Sequence, residues 1–97
     1  MPNYYDIGDV VRSSVAFATT AGSATDPTVI TVTYKIDDGD TISKVYGVDG
    51  EVVKASTGNY YIDLTGTVGT WYIRWIGIGT VAAVAEDWWH IVESRVI

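Results

Sequence analysis

His90 is the one histidine in the chain, and therefore the first residue to consider for catalysis. A Ser-His-carboxylate arrangement would need a serine hydroxyl and an acid brought to its two ring nitrogens, and no nucleophile motif accompanies it. Asp37, Asp38 and Asp40 offer oxygen donors of the kind Ca²⁺ takes, but without the spacing of a twelve-residue calcium loop. With Gly39 among them they compose a tight hairpin turn, the glycine supplying the positive φ. Asp63 and Asp87 are the types of residue that glycoside hydrolysis sets across a cleft. Both fall in strand-like segments, where they read as surface charges. Arg74, between Trp71 and Trp75, is expected to face outward and to stack on an aromatic, pair with an acid or touch a partner. These residues assign no catalytic group, no metal ligand and no cofactor, so the expectation is a non-enzymatic protein.

The aromatic residues carry a sharper expectation. Alternation along Thr57–Leu64 puts Tyr60, Ile62 and Leu64 on one face, and along Gly69–Trp75 it does the same for Trp71, Ile73 and Trp75. If Tyr34, Tyr60, Trp71, Trp75 and Trp89 face inward, then Tyr61, Tyr72 and Trp88 face out. Tyr4 and Tyr5 fall in a terminal arm outside any regular core. Exposed rings of this size suit an interface anchor or a platform for sugar rings; packing of the arm over a sheet edge is the plainer alternative.

Such rings need strands to present them. Asp9–Ala18 reads as a first strand, with Val11, Val15 and Phe17 inward and Ser13 in the remaining slot. Thr19–Thr28 is a connection that crosses from one sheet to another. Thr28–Ile36 follows, with Ile30, Val32, Tyr34 and Ile36 on one side, then the Asp37–Asp40 turn and a return along Thr41–Val48. After a turn at Asp49-Gly50, Glu51–Ala55 is a short edge strand on which Lys54 blocks further pairing. Thr57–Thr65, Thr70–Gly77 and Val81–Val92 complete the set, the last with an irregularity near Glu86-Asp87. Seven strands at this spacing predict an all-β, immunoglobulin-like antiparallel β-sandwich, with a small closed barrel as the rival.

Composition agrees with that reading and excludes several functions. The 97 residues fit one domain with one core. Val, Ile, Thr, Tyr and Trp dominate and Leu64 is the single leucine, a palette suited to a pleated surface. The absence of cysteine rules out disulfides and thiolate metal sites. A net charge of −6 disfavours a grip on nucleic-acid phosphates. No stretch has the length and apolarity of a membrane span, and the start lacks a secretory pattern, so synthesis in a cytoplasm is expected.

The succession Gly8-Asp9-Val10-Val11-Arg12, Asp26-Pro27-Thr28-Val29, Thr57-Gly58-Asn59-Tyr60, Gly69-Thr70-Trp71-Tyr72-Ile73-Arg74-Trp75 with Gly77 and Gly79, and Val81-Ala82-Ala83 resembles small immunoglobulin-like proteins of tailed bacteriophages. The resemblance spans roughly Ile7 to Ile91. It implies a virion structural or accessory protein: a capsid decoration or cement protein on the major capsid protein, or a neck or tail component. A carbohydrate-binding module contacting host glycans is the alternative from another class. Tyr4, Tyr5, Tyr61, Tyr72, Trp88, Arg95, Val96 and Ile97 are the candidate partner contacts, with extended terminal segments adding to a neighbouring sheet edge. Homo-oligomers are a corollary, because sandwich edges and apolar tails require cover.

Overall fold

A computed structural model describes residues 4–93, and all its regular structure is β. The strands are β1 (Tyr4–Asp6), β2 (Val11–Ala16), β3 (Val29–Ile36), β4 (Ile42–Val45), β5 (Val52–Ser56), β6 (Asn59–Leu64), β7 (Gly69–Ile78) and β8 (Ala83–Val92). They form a five-stranded sheet in the order β1-β8-β7-β3-β4 and a three-stranded sheet in the order β2-β6-β5. With no helix among the described residues, none is long and apolar enough to cross a membrane.

The two sheets meet as a sandwich whose core draws on both. Val32 and Ile62 are wholly buried, and around them lie Val11, Phe17, Ile30, Val52, Tyr60, Trp71, Ile73, Trp75, Trp89 and Ile91. Each comes from the face that period-two alternation turns inward. On the inner face of the larger sheet three rings stack across adjacent strands. Tyr34 lies over Trp71 at 6.1 Å between centroids and Trp71 over Trp89 at 6.0 Å, with interplanar angles of 18° and 15°. At one end Tyr60 is wedged edge-on between Phe17 and Tyr46.

The connection after β2 does cross from the smaller sheet to the larger, and Asp26 within it clamps the β5–β6 turn. Its carboxylate accepts hydrogen bonds from Lys54 Nζ, the Gly58 N–H and the Tyr60 hydroxyl, each at 2.7 Å. The Lys54 ammonium first, then the Gly58 N–H and the Tyr60 hydroxyl, pull the Asp26 pKa from 3.8 down to about 2. Gly58 turns the chain here with φ of +77°, and a Cβ would stand 2.5 Å from the Phe17 carbonyl oxygen, so both conformation and space require glycine.

Five sequence-based expectations change. The strands number eight, because the supposed arm contains β1, which adds to β8 in parallel through Tyr4↔His90, Tyr5↔Ile91 and Asp6↔Val92. A three-residue segment is too short to show alternation, and only the neighbouring strand makes it a strand. Tyr5 consequently packs against the core. The return strand ends at Val45 rather than Val48, since Asp49 folds back to accept the Val45 N–H at 2.8 Å and Gly47 turns the chain with φ of 87°. In the β3–β4 turn the positive φ belongs to Asp37, at 51°, and not to Gly39. The Asp37 carboxylate accepts the Thr70 N–H, while its own N–H donates to the Thr70 carbonyl, and these bonds hold the left-handed conformation.

The irregularity expected near Glu86-Asp87 is absent: β7 and β8 pair in unbroken register from Gly69↔Ile91 to Gly77↔Ala83. Alternation fades there for another reason. The first six residues of β8 are exposed on both faces, so burial imposes no pattern on them. The register shift instead lies in β5, between Lys54 and Ser56.

Candidate functional site

The register of the larger sheet builds a two-by-three grid of side chains on its outer face. Tyr72 of β7 stands directly between Lys35 of β3 and Trp88 of β8, and in the next row Arg74 stands between Thr33 and Glu86. Directly paired residues in a sheet project to the same side, so the aromatic row and the polar row face solvent together. Tyr72 and Trp88 each remain 46% exposed, a large fraction for rings of this size.

Trp88 sets its edge against His90 at 5.1 Å and 72°, whereas the Lys35 ammonium lies 5.8 Å from the centre of the Tyr72 ring. Tyr72, Trp88, Lys35, Arg74, Glu86 and Asp87 line one open groove of about 380 Å³ on this face. Beyond Trp88, His90 carries the surface on to β1, where Tyr4 stacks on the imidazole at 4.9 Å and 26°. Tyr4, His90, Trp88 and Tyr72 thus make one continuous aromatic strip.

His90 is held in place rather than left available. Its Nδ1 lies 2.9 Å from the Thr70 hydroxyl, and the ring is contacted by both Tyr4 and Trp88. No serine–carboxylate pair is assembled on it among the described residues. Nor is any group of three or more His, Asp or Glu side chains gathered as for a metal ion among them.

Charge around the groove is distributed unlike charge elsewhere on the molecule. The chain has six basic residues, of which Arg95 lies outside the described range. Arg12, Lys44 and Lys54 are each committed to an ion pair, with Asp63, Glu51 and Asp26. The hydrogen-bonded acids raise the pKa of all three bases, and the Asp63 and Glu51 carboxyls are held below their ordinary values in return. The other two, Lys35 and Arg74, both line the groove, and neither forms an ion pair among the described residues. Arg74 therefore meets none of its expected intramolecular partners, although Glu86 is its directly paired neighbour.

The remaining predicted contacts divide. Tyr4, Tyr72 and Trp88 are brought together on this face. Tyr61 is on the opposite side of the sandwich, half-buried beneath the Arg12 guanidinium at 3.8 Å, which itself makes two hydrogen bonds to Asp63. Tyr5 points the other way from Tyr4 and joins the core. Arg95, Val96 and Ile97 lie outside the described residues. Sequence reasoning missed Lys35, Glu86 and the bridging position of His90. Alternation shows that Lys35 and Tyr72 face outward, but only the pairing of β3 with β7 makes them neighbours.

The free edge of β8 borders the same site. Among the described residues β1 covers only His90 to Val92, and none of them forms a strand beyond Ala83 to Trp88. Asp87 accepts the Trp88 N–H at 2.8 Å, and with Glu86 it puts charge along this edge, a usual protection against unwanted strand pairing. Comparison with known proteins finds no matching family, no matching curated protein and no matching solved structure.

Proposed function

We propose that this is a non-enzymatic, immunoglobulin-like binding protein that serves as a bacteriophage virion structural component, in the first instance as a capsid decoration or cement protein. What supports the fold assignment is strand order. With β2 to β8 taken as B, C, C′, D, E, F and G, the sheets β2-β6-β5 and β8-β7-β3-β4 become B-E-D and G-F-C-C′, the arrangement of a variable-type domain. The Ser13–Trp75 hydrogen bond then joins strands B and F, where antibody domains place their inter-sheet disulfide.

The observation that carries the adhesive role is the aromatic strip of Tyr4, His90, Trp88 and Tyr72 on one sheet face. Large, exposed, rigid rings are what interfaces use as anchors. The resemblance of the Gly69–Trp75 segment and its companions to phage proteins supports the virion setting. Co-sedimentation with expanded capsids of the cognate phage tests this reading, and density at the neck or tail in a particle reconstruction would reassign it within the virion. Loss of the shell interaction in a Tyr4→Ala/Trp88→Ala variant is the expected result, and shell binding unchanged in that variant would overturn the assignment of this face.

A second reading is favoured by one feature, the groove lined by Tyr72 and Trp88. Exposed aromatic rings with hydrogen-bonding groups beside them suit a carbohydrate-binding module.

A further inference from the structure

We propose that the groove bordered by Tyr72, Trp88, Arg74 and Glu86 is a saccharide site, and that its ligand is a neutral hexopyranose glycan. The proposal deepens the carbohydrate reading and needs nothing of the virion assignment.

The argument rests on what each row of the grid offers. A pyranose ring has an apolar face of C–H groups and a rim of hydroxyls, each both donor and acceptor. The aromatic row supplies flat apolar surface on two adjacent strands, and both rings border a groove of about 380 Å³. That volume falls within the range of small-ligand sites. The polar row supplies complementary hydrogen-bonding capacity. Arg74 gives several N–H donors in a planar fork and Glu86 gives two acceptor oxygens, directly opposite each other on β7 and β8.

The unspent capacity is what distinguishes this site from ordinary surface. Every other basic side chain among the described residues is paired with an acid, whereas Lys35 and Arg74 have no acidic partner among them, and both border the same groove. A vicinal diol can accept from Arg74 and donate to Glu86 at once, satisfying both without a net change of charge. The groove's charges, Lys35 and Arg74 against Glu86 and Asp87, balance to zero. A polyanionic glycan would find no excess of cations there and a chain of net charge −6 around it. These two facts select a neutral sugar.

The site is built before any ligand arrives. The backbone beneath the grid is the unbroken β3-β7-β8 register, and Trp88 is braced by His90, itself fixed by Thr70 and Tyr4. Fixing the rings in advance limits the entropy lost on binding.

The test is a titration of the full chain with neutral gluco-, galacto- and manno-configured oligosaccharides, followed by NMR at the Trp88 indole and the Arg74 side chain. At least one series should give saturable shifts confined to this face. Trp88→Ala and Tyr72→Ala should each weaken that binding by roughly tenfold or more, while Tyr61→Ala, on the far sheet, should leave it unchanged. Arg74→Met should weaken it without altering the fold, as judged by an unchanged unfolding midpoint. Absence of saturable shifts with the whole panel would overturn the proposal. So would binding that survives in the Tyr72→Ala/Trp88→Ala variant, or the same resonances shifting with protein concentration alone, which would mean that a second copy covers the face. Capsid co-sedimentation measured separately on the same variants distinguishes failure here from failure of the virion reading.

Discussion

The Trp75 indole N–H of β7 donates to the Ser13 hydroxyl of β2 at 2.9 Å, a buried hydrogen bond that crosses from one sheet to the other. Among the described residues Ser13 is the one buried polar side chain, at 6% exposure, and Trp75 is among the most deeply buried side chains. The pair reconciles two demands. A tryptophan large enough to span the layer brings an N–H into an apolar interior, and one small hydroxyl on the facing sheet accepts it.

Ser13→Ala should therefore destabilise the fold by about 1–3 kcal/mol, the penalty of stranding a buried donor. Ser13→Thr keeps the oxygen and tests whether the loss is one of hydrogen bonding or of packing. Urea unfolding midpoints compare the variants; an Ala variant as stable as the parent would mean that Trp75 finds another acceptor.

Trp71 and Trp89 stack on each other, yet their indole N–H groups differ. Trp71 Nε1 donates to the Thr67 carbonyl at 3.1 Å, whereas Trp89 Nε1 is buried with no partner among the described residues. Both Trp→Phe substitutions lose apolar area, but only the one at Trp71 also loses a hydrogen bond. Trp71→Phe should cost more than Trp89→Phe by roughly 1 kcal/mol, read from the difference in unfolding free energy.

Acid should loosen the Asp26 clamp. Its folded pKa of about 2 lies below the ordinary 3.8, so the folded state binds the proton less readily than the unfolded one. The resulting stability is fully present above pH 3.8 and is lost as the pH falls toward 2. The stability gap between the parent and Asp26→Asn should accordingly narrow between pH 5 and pH 2. A gap that stays constant over that range would show that the three hydrogen bonds do not depend on the charge.

Gly77 faces the core on β7, where an added Cβ would come 2.7 Å from the Phe17 ring and 2.8 Å from the Pro27 ring. Neither neighbour is a flexible chain end, so Gly77→Ala should overpack the site and cost about 1–3 kcal/mol. Thermal unfolding reads the effect, and the double variant Gly77→Ala/Phe17→Leu should recover part of it.

Period-two alternation by itself determined which residues face the core. Tyr60, Ile62 and Leu64, Trp71, Ile73 and Trp75, and Ile30 and Val32 all lie inward, because a strand covered on one face has a single way to bury its bulky side chains. The crossing of the Thr19–Thr28 connection was legible too, from its turn residues and length. Tertiary structure alone decided which outward residues meet. Tyr72 and Lys35 lie on strands far apart in the chain, and their pairing depends on sheet order, which local pattern does not encode. Three further features followed the same logic. β1 exists only because β8 offers an edge, Asp37 takes its left-handed turn because Thr70 is there to bond it, and Tyr4 and Tyr5 part to opposite faces only once β1 has a sheet to join. The core was written locally because burial acts on each strand separately; the groove was not, because its walls come from strands that only the folded sheet sets side by side.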